Sequence, residues 1–127
     1  MIGFVGNIEK LTLDNSNFRK VIFTGQHAQL VLMSLKPNED IGMETHEIVD
    51  QFIRIEKGKG KLILDGKEHL VEDGSAFIIP AGSKHNVINL SSDEPLKIYT
   101  VYSPPHHKDK VTHKTKNEAE VDTKDHI

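Results

Sequence analysis

Short apolar runs, each closed by Gly, Pro, Asn or Asp, set the pattern of this chain. Val21-Ile22-Phe23-Thr24 ends at Gly25, Leu30 to Leu35 ends at Lys36-Pro37-Asn38, and Phe52-Ile53-Arg54-Ile55 runs toward Gly58 and Gly60. Lys61-Leu62-Ile63-Leu64 meets Asp65-Gly66, a pair that tolerates the positive φ of a tight hairpin turn. Glu68-His69-Leu70-Val71, Ala76-Phe77-Ile78-Ile79, Val87-Ile88-Asn89-Leu90 and Leu96 to Tyr102 complete the set. These runs are too short for ordinary helices and are rich in β-branched residues, so they predict an all-β sandwich or barrel. In the run from Gln51, alternation places Gln51, Ile53 and Ile55 on one interior face, with Arg54 and Glu56 outside. Tyr99 and Tyr102 have opposite parity, so one of them faces inward.

Several runs are apolar at successive positions, which predicts strands covered on both faces. A second subunit would supply the outer cover, so a homodimer is expected. The pattern changes after Pro104-Pro105. From His106 onward only Val111, Ala119, Val121 and Ile127 are apolar, too few to offset the entropy of ordering. The chain therefore divides into a β-barrel domain over 1–105 and a polar C-terminal tail over 106–127. The tail is expected to be solvated and partly disordered or to form a short helix around Asn117 to Val121; folding over a barrel mouth as a lid, in this subunit or a neighbour, is the alternative.

At 127 residues the chain is long enough for one compact domain with a dry interior. Its formal charge of −3, with lysines scattered among acids, provides no basic field for nucleic acid. The absence of cysteine excludes disulfides, thiolate metal sites and cysteine nucleophiles. The opening Met1 to Gly6 has no basic segment and only a brief apolar stretch, so neither a signal peptide nor a membrane span is expected. A cytoplasmic protein is the expectation.

The candidate chemistry is spread along the barrel region. Glu44 and His46 are two apart and project to the same face of an extended strand. Gln51 lies at an odd offset from them and shares that face only if the chain bends between. Gly74 opens a strand that stops at Pro80-Ala81-Gly82; His85 follows that turn, and Asn89 lies four later on the same parity. No nucleophile-elbow pattern is present, and Gly58-Lys59-Gly60-Lys61 lacks the rest of a phosphate loop. His27 reads as a loop residue and His69 as solvent-facing. His106, His107 and His113 do not have the spacing of a zinc module.

From Val21 to Pro104 the chain resembles the small single-domain members of the cupin superfamily. Gly74, Pro80, Gly82, His85 and Asn89 match every position of that family's second motif, and His46, Gln51 and Gly58 keep the spacing of the end of its first. The resemblance implies a double-stranded β-helix, or jelly roll, with one divalent metal ion inside the barrel. It implies Glu44, His46, Gln51 and His85 as the metal ligands. Glu44 stands where the family's first histidine usually sits, and Gln51 where its glutamate usually sits, so the acid has moved from one position to the other. Asp50, at the other allowed spacing, is the rival to Gln51. Iron(II) suits two histidines and a carboxylate, and manganese, nickel, zinc and cobalt are compatible with the same donors. The implied activity is that of a metal-dependent enzyme acting on a small polar, oxygen-rich substrate, of sugar or sugar-acid isomerase or lyase type. An iron(II) dioxygenase and a non-catalytic metal- or ligand-binding module are the alternatives.

Overall fold

The computed structural model describes residues 2–126; Met1 and Ile127, the outermost residues of the two expected segments, lie outside the described residues. A short helix α1 (Ile8–Asp14) precedes β1 (Arg19–Thr24), β2 (Gln29–Leu35), β3 (Glu44–Thr45) and β4 (Asp50–Lys57). Then follow β5 (Lys59–Leu64), β6 (Lys67–Glu72), β7 (Ala76–Ile79), β8 (Lys84–Asn89), β9 (Leu96–Ser103), β10 (Thr112–His113) and α2 (Lys116–Val121). Each of the eight apolar runs is a strand. Two antiparallel sheets face each other, one ordered β10-β1-β2-β9-β4-β7 and the other β3-β8-β5-β6. This is the expected jelly roll.

The local reasons are those of the sequence. Asp65 and Gly66 both take positive φ, 48° and 83°, so the β5–β6 connection is a two-residue turn whose twist suits the strands it joins. Along β4, Gln51, Ile53 and Ile55 are buried while Arg54 and Glu56 are only partly covered. The core fills the space between the sheets with Val31, Met33, Leu35, Ile53, Ile55, Leu62, Val87, Ile98 and Tyr102. Of the two tyrosines, Tyr102 is the inward one; it shares the buried side of β9 with Ile98 and Thr100. The outer cover of the larger sheet comes in part from the chain itself. α1 packs against β2, β4 and β9, and outward-facing Lys97 donates from its ammonium to the Asn15 carbonyl at the end of that helix.

The segment after Pro105 corrects the expectation of a solvated tail. The helix forms as α2 over Lys116–Val121, and β10 pairs with β1 through Arg19–His113 and Lys20–Thr112. His107, His113 and Asp125 are buried. Polar contacts anchor the segment: His107 Nδ1 lies 2.6 Å from Asp125 Oδ2, His113 Nε2 3.0 Å from Asp122 Oδ2, and Lys116 Nζ 2.6 Å from Asp40 Oδ1. These polar contacts, of which His107–Asp125 is fully buried, are ones that apolar patterning does not register. The segment forms a strap that pairs with β1 through β10 and packs His106 against His46 and Tyr102. No helix among the described residues is long and apolar enough to cross a membrane.

Candidate metal centre

The centre forms where the two motif-bearing stretches meet. Short β3 pairs with β8 so that Glu44 stands directly opposite His85. His46 follows β3, and its carbonyl accepts the Gly82 N–H at 2.7 Å. The neighbouring Ala81 N–H donates to Asp50 Oδ1 at 2.9 Å. The Pro80-Ala81-Gly82 turn thus clamps the loop carrying His46 to the strand leading to His85. Asp50 is exposed and serves as that clamp, so the rival position for a ligand is occupied by a turn anchor.

Glu44, His46 and His85 converge: one donor atom from each lies within 4.8 Å of the others, an arrangement that could hold a metal ion. Glu44 Oε1 is 3.4 Å from His46 Nε2 and 3.9 Å from His85 Nε2. An ion about 2.1 Å from each donor would hold cis donors roughly 3 Å apart, so little contraction is required. The imidazole rings of His46 and His85 are tilted at 54° with centres 5.2 Å apart. His85 Nδ1 faces the Ser83 carbonyl at 3.0 Å, which fixes the proton on Nδ1 and leaves the Nε2 lone pair free.

The donor atoms are distinguished by what they lack. Among the described residues, the buried side-chain polar atoms with no hydrogen-bond partner are Arg19 Nε, His46 Nε2, Gln51 Oε1, Arg54 Nε and His85 Nε2. Three of these are expected ligand atoms, and a buried acceptor left unpaired costs about 1–3 kcal/mol. Gln51 contributes its atom from β4, where it pairs with Tyr102 of β9. Its Nε2 donates to Thr100 Oγ1 at 3.1 Å, and that hydroxyl donates to the Phe52 carbonyl at 2.8 Å. The amide nitrogen is thereby committed and the oxygen is left open. The donors present therefore fit a divalent cation.

Burial works against the charge of Glu44, but the His46 and His85 rings and the Arg19 guanidinium outweigh it and hold the carboxyl below its usual pKa. Burial pushes His106 down to about 3, with further lowering from His46, His107 and His126. Burial likewise pushes His107 down to about 4, against the opposing pull of Asp125. Both rings are neutral near pH 7.

His106 is the residue that the sequence reading missed here. Its ring lies 4.3 Å from that of His46 and 5.3 Å from Tyr102, so the strap roofs the centre with an imidazole. The strap is seated by Gln29, fully buried on β2. Gln29 Oε1 accepts the N–H groups of His106 and His107 at 3.1 and 2.9 Å, and its Nε2 donates to the His107 carbonyl at 2.7 Å. The hint in the sequence was the glutamine at the head of an apolar strand. His113 lies apart from the centre, near Arg19 and Asp122.

Comparison with known proteins agrees with this architecture. The chain is 48% identical over 122 residues to the uncharacterized protein YrkC of Bacillus subtilis (strain 168), a match covering 91% of this chain and 65% of that protein. It is 49% identical over 108 residues to the uncharacterized protein L612 of Acanthamoeba polyphaga mimivirus, covering 82% of this chain and 67% of that one. The chain thus spans about two thirds of the length of these relatives. The crystal structure of BH2720 from Bacillus halodurans superposes with a TM-score of 0.89 at 42% identity, over 92% of each chain. The family model of the cupin domain matches residues 31–102, and the chain belongs to the cupins.

Proposed function

We propose that the chain holds one divalent metal ion through Glu44, His46, His85 and Gln51, and acts on a small, polar, oxygen-rich molecule. A sugar or sugar-acid isomerase or lyase is the preferred reading. The observation that carries it is the set of buried, unpartnered atoms His46 Nε2, His85 Nε2 and Gln51 Oε1 in the barrel interior. One carboxylate, two imidazoles and an amide oxygen suit iron(II), manganese, nickel, zinc or cobalt. When bound, such an ion stabilises negative charge as it develops on a substrate oxygen.

The chain's own groups provide the rest. Ser83 holds His85 in the tautomer that presents Nε2, and Thr100 turns Gln51 so that its oxygen faces away from the committed nitrogen. Burial raises the Tyr102 pKa above its ordinary value, so its phenol stays protonated and serves as a hydrogen-bonding group. The neutral His106 ring over His46 offers a polar substrate a hydrogen bond without adding charge. His46, His85 and Gln51 are buried, and a low-dielectric setting strengthens each of these interactions.

The test is His85→Ala. Elemental analysis of the purified protein, and of protein stripped and reloaded, should show the variant holding one equivalent of metal less than the wild type, with far-UV dichroism unchanged. Unchanged metal content in the variant overturns the assignment. The convergence of two histidines and one carboxylate also favours a second reading, an iron(II) dioxygenase. Oxygen uptake separates the two: turnover of sugars or sugar acids without O₂ consumption supports the first, and stoichiometric consumption the second.

A further inference from the structure

A second cluster of imidazoles stands on the strap, outside the donor set described above. His106, His107 and His126 each offer a ring nitrogen within 4.8 Å of the others. Ring centres are 4.8 Å apart for His106 and His107, 4.5 Å for His106 and His126, and 5.3 Å for His107 and His126. Three imidazoles bound to one ion at about 2.0–2.1 Å place their ring centres roughly 4.4–5.3 Å apart for angles between the right angle and the tetrahedral value. The observed spacings fall in that range.

The backbone builds this tripod. An antiparallel bridge joins His107 to His126, and the Lys108 N–H donates to the Asp125 carbonyl at 2.6 Å, so the returning chain lies beside residues 106–107. Asp125 is buried, and its Oδ2 holds His107 Nδ1 at 2.6 Å. A carboxylate gripping one nitrogen of an imidazole fixes the tautomer and makes the other nitrogen a better metal donor. That other nitrogen, His107 Nε2, meets the hydroxyl of buried Tyr102 at 3.2 Å, a hydrogen bond that a bound ion would replace. Neither the His106 nor the His126 ring forms a hydrogen bond with any described residue, and His126 Nε2 lies 4.0 Å from Asp125 Oδ2.

We infer that His106, His107 and His126 form a second cation site at the mouth of the barrel, with Asp125 as its positioning carboxylate. The cation is a divalent ion of borderline softness, zinc or cobalt(II), bound by three nitrogens with one position open to water or to an anionic substrate group. The site does not depend on the inner centre, but His106 lies against His46, so the two are neighbours. A ligand that bridges them would be gripped at both ends.

Cobalt(II) tests this, because tetrahedral cobalt absorbs visible light far more strongly than octahedral cobalt. The metal-free full chain is titrated with cobalt, with equilibrium dialysis to count bound ions. The wild type should bind two ions, and His126→Ala and His106→Ala should each weaken the outer one at least tenfold with loss of the strong absorption. His85→Ala should keep that outer ion and its spectrum. His126 is exposed, with 60% of its side chain accessible, so its removal leaves the fold standing. Cobalt uptake and spectrum unchanged in both strap variants would overturn the inference, as would a His85→Ala protein that binds no cobalt. If His85→Ala retains all the cobalt that the wild type binds while the strap variants lose it, the inner assignment fails and the outer site stands.

Discussion

Replacing Gln29 with leucine should release the strap without unfolding the barrel. Gln29 is fully buried and makes contact with the strap three times: it accepts from the His106 and His107 N–H groups at 3.1 and 2.9 Å and donates to the His107 carbonyl at 2.7 Å. Leucine preserves most of the volume and none of the polarity. His107 is 1% exposed, so its N–H and carbonyl lose their partners where water cannot replace them. At about 1–3 kcal/mol for each buried group left unpaired, the closed strap is destabilised by about 2–6 kcal/mol. The chain can limit that cost by lifting residues 106–108 into water, so the measured loss cannot exceed the free energy of opening the strap. Hydrogen exchange reads this directly. Protection of the His106 and His107 amides should fall roughly 30-fold at the lower bound, at about 1.4 kcal/mol per tenfold, while the amides of Ile53 and Ile55 stay protected. Gln29→Glu sharpens the test. Its carboxylate still accepts both N–H groups, but its second oxygen faces the His107 carbonyl and carries a buried charge. It should open the strap at least as much as leucine does. Unchanged exchange at residues 106–108 in both variants would refute the reasoning.

Two further changes probe the frame around the centre. Asn89 Nδ2 spans the carbonyls of Leu35, Lys36 and Glu94 at 3.2, 3.0 and 2.9 Å, and its Oδ1 accepts the Ser91 N–H at 2.9 Å. Asn89→Ala should therefore cost about 2–4 kcal/mol in urea denaturation, and Asn89→Asp more, since a carboxylate would face three carbonyl oxygens. An aspartate variant more stable than the alanine variant would contradict this. Gly58 has φ of +119°, and a Cβ there would lie 2.8 Å from Leu96 Cδ1 and 3.1 Å from the Pro95 carbonyl oxygen. Because Leu96 is fully buried, Gly58→Ala should cost about 2–4 kcal/mol in the same assay and leave metal content unchanged.

The strands were legible because burial in a sheet leaves a two-residue rhythm and because turns need particular residues. β4 shows the first, with Gln51, Ile53 and Ile55 buried, and Asp65-Gly66 the second. The meeting of Glu44, His46 and His85 was legible through the motif spacing, since Pro80-Ala81-Gly82 clamps the two halves together. α1 was not read. It spans 7 residues, buries only Thr12, and depends on the Asn7 side chain accepting the Lys10 N–H at its start. The burial of the strap is illegible for a different reason. Its order comes from pairs such as His107 with Asp125 and Arg19 with Asp125, separated along the chain and invisible to any local pattern. A polar composition predicts disorder only when the polar groups have no buried partners, and here Gln29, Arg19 and Tyr102 provide them.

The exchange of acid and amide within the proposed donor set has a consequence for where charge resides. Gln51, at the position the family usually gives to a glutamate, is 2% exposed, while the Glu44 side chain is 34% exposed. Burying an amide with its nitrogen satisfied costs about 1–3 kcal/mol, whereas a buried carboxylate costs several kcal/mol before any partner compensates it. Moving the single negative charge from the strand interior to the rim therefore leaves the formal charge of the donor set unchanged and lowers the penalty of the metal-free fold. In the proposed site it also leaves the deepest ligand, Gln51 Oε1, neutral and weak, with its amide nitrogen held by Thr100. The counter-charge then sits at the mouth, near the roof formed by His106 and within the field of Arg19. In the proposed function the rim carboxylate would accept hydrogen bonds from substrate hydroxyl groups.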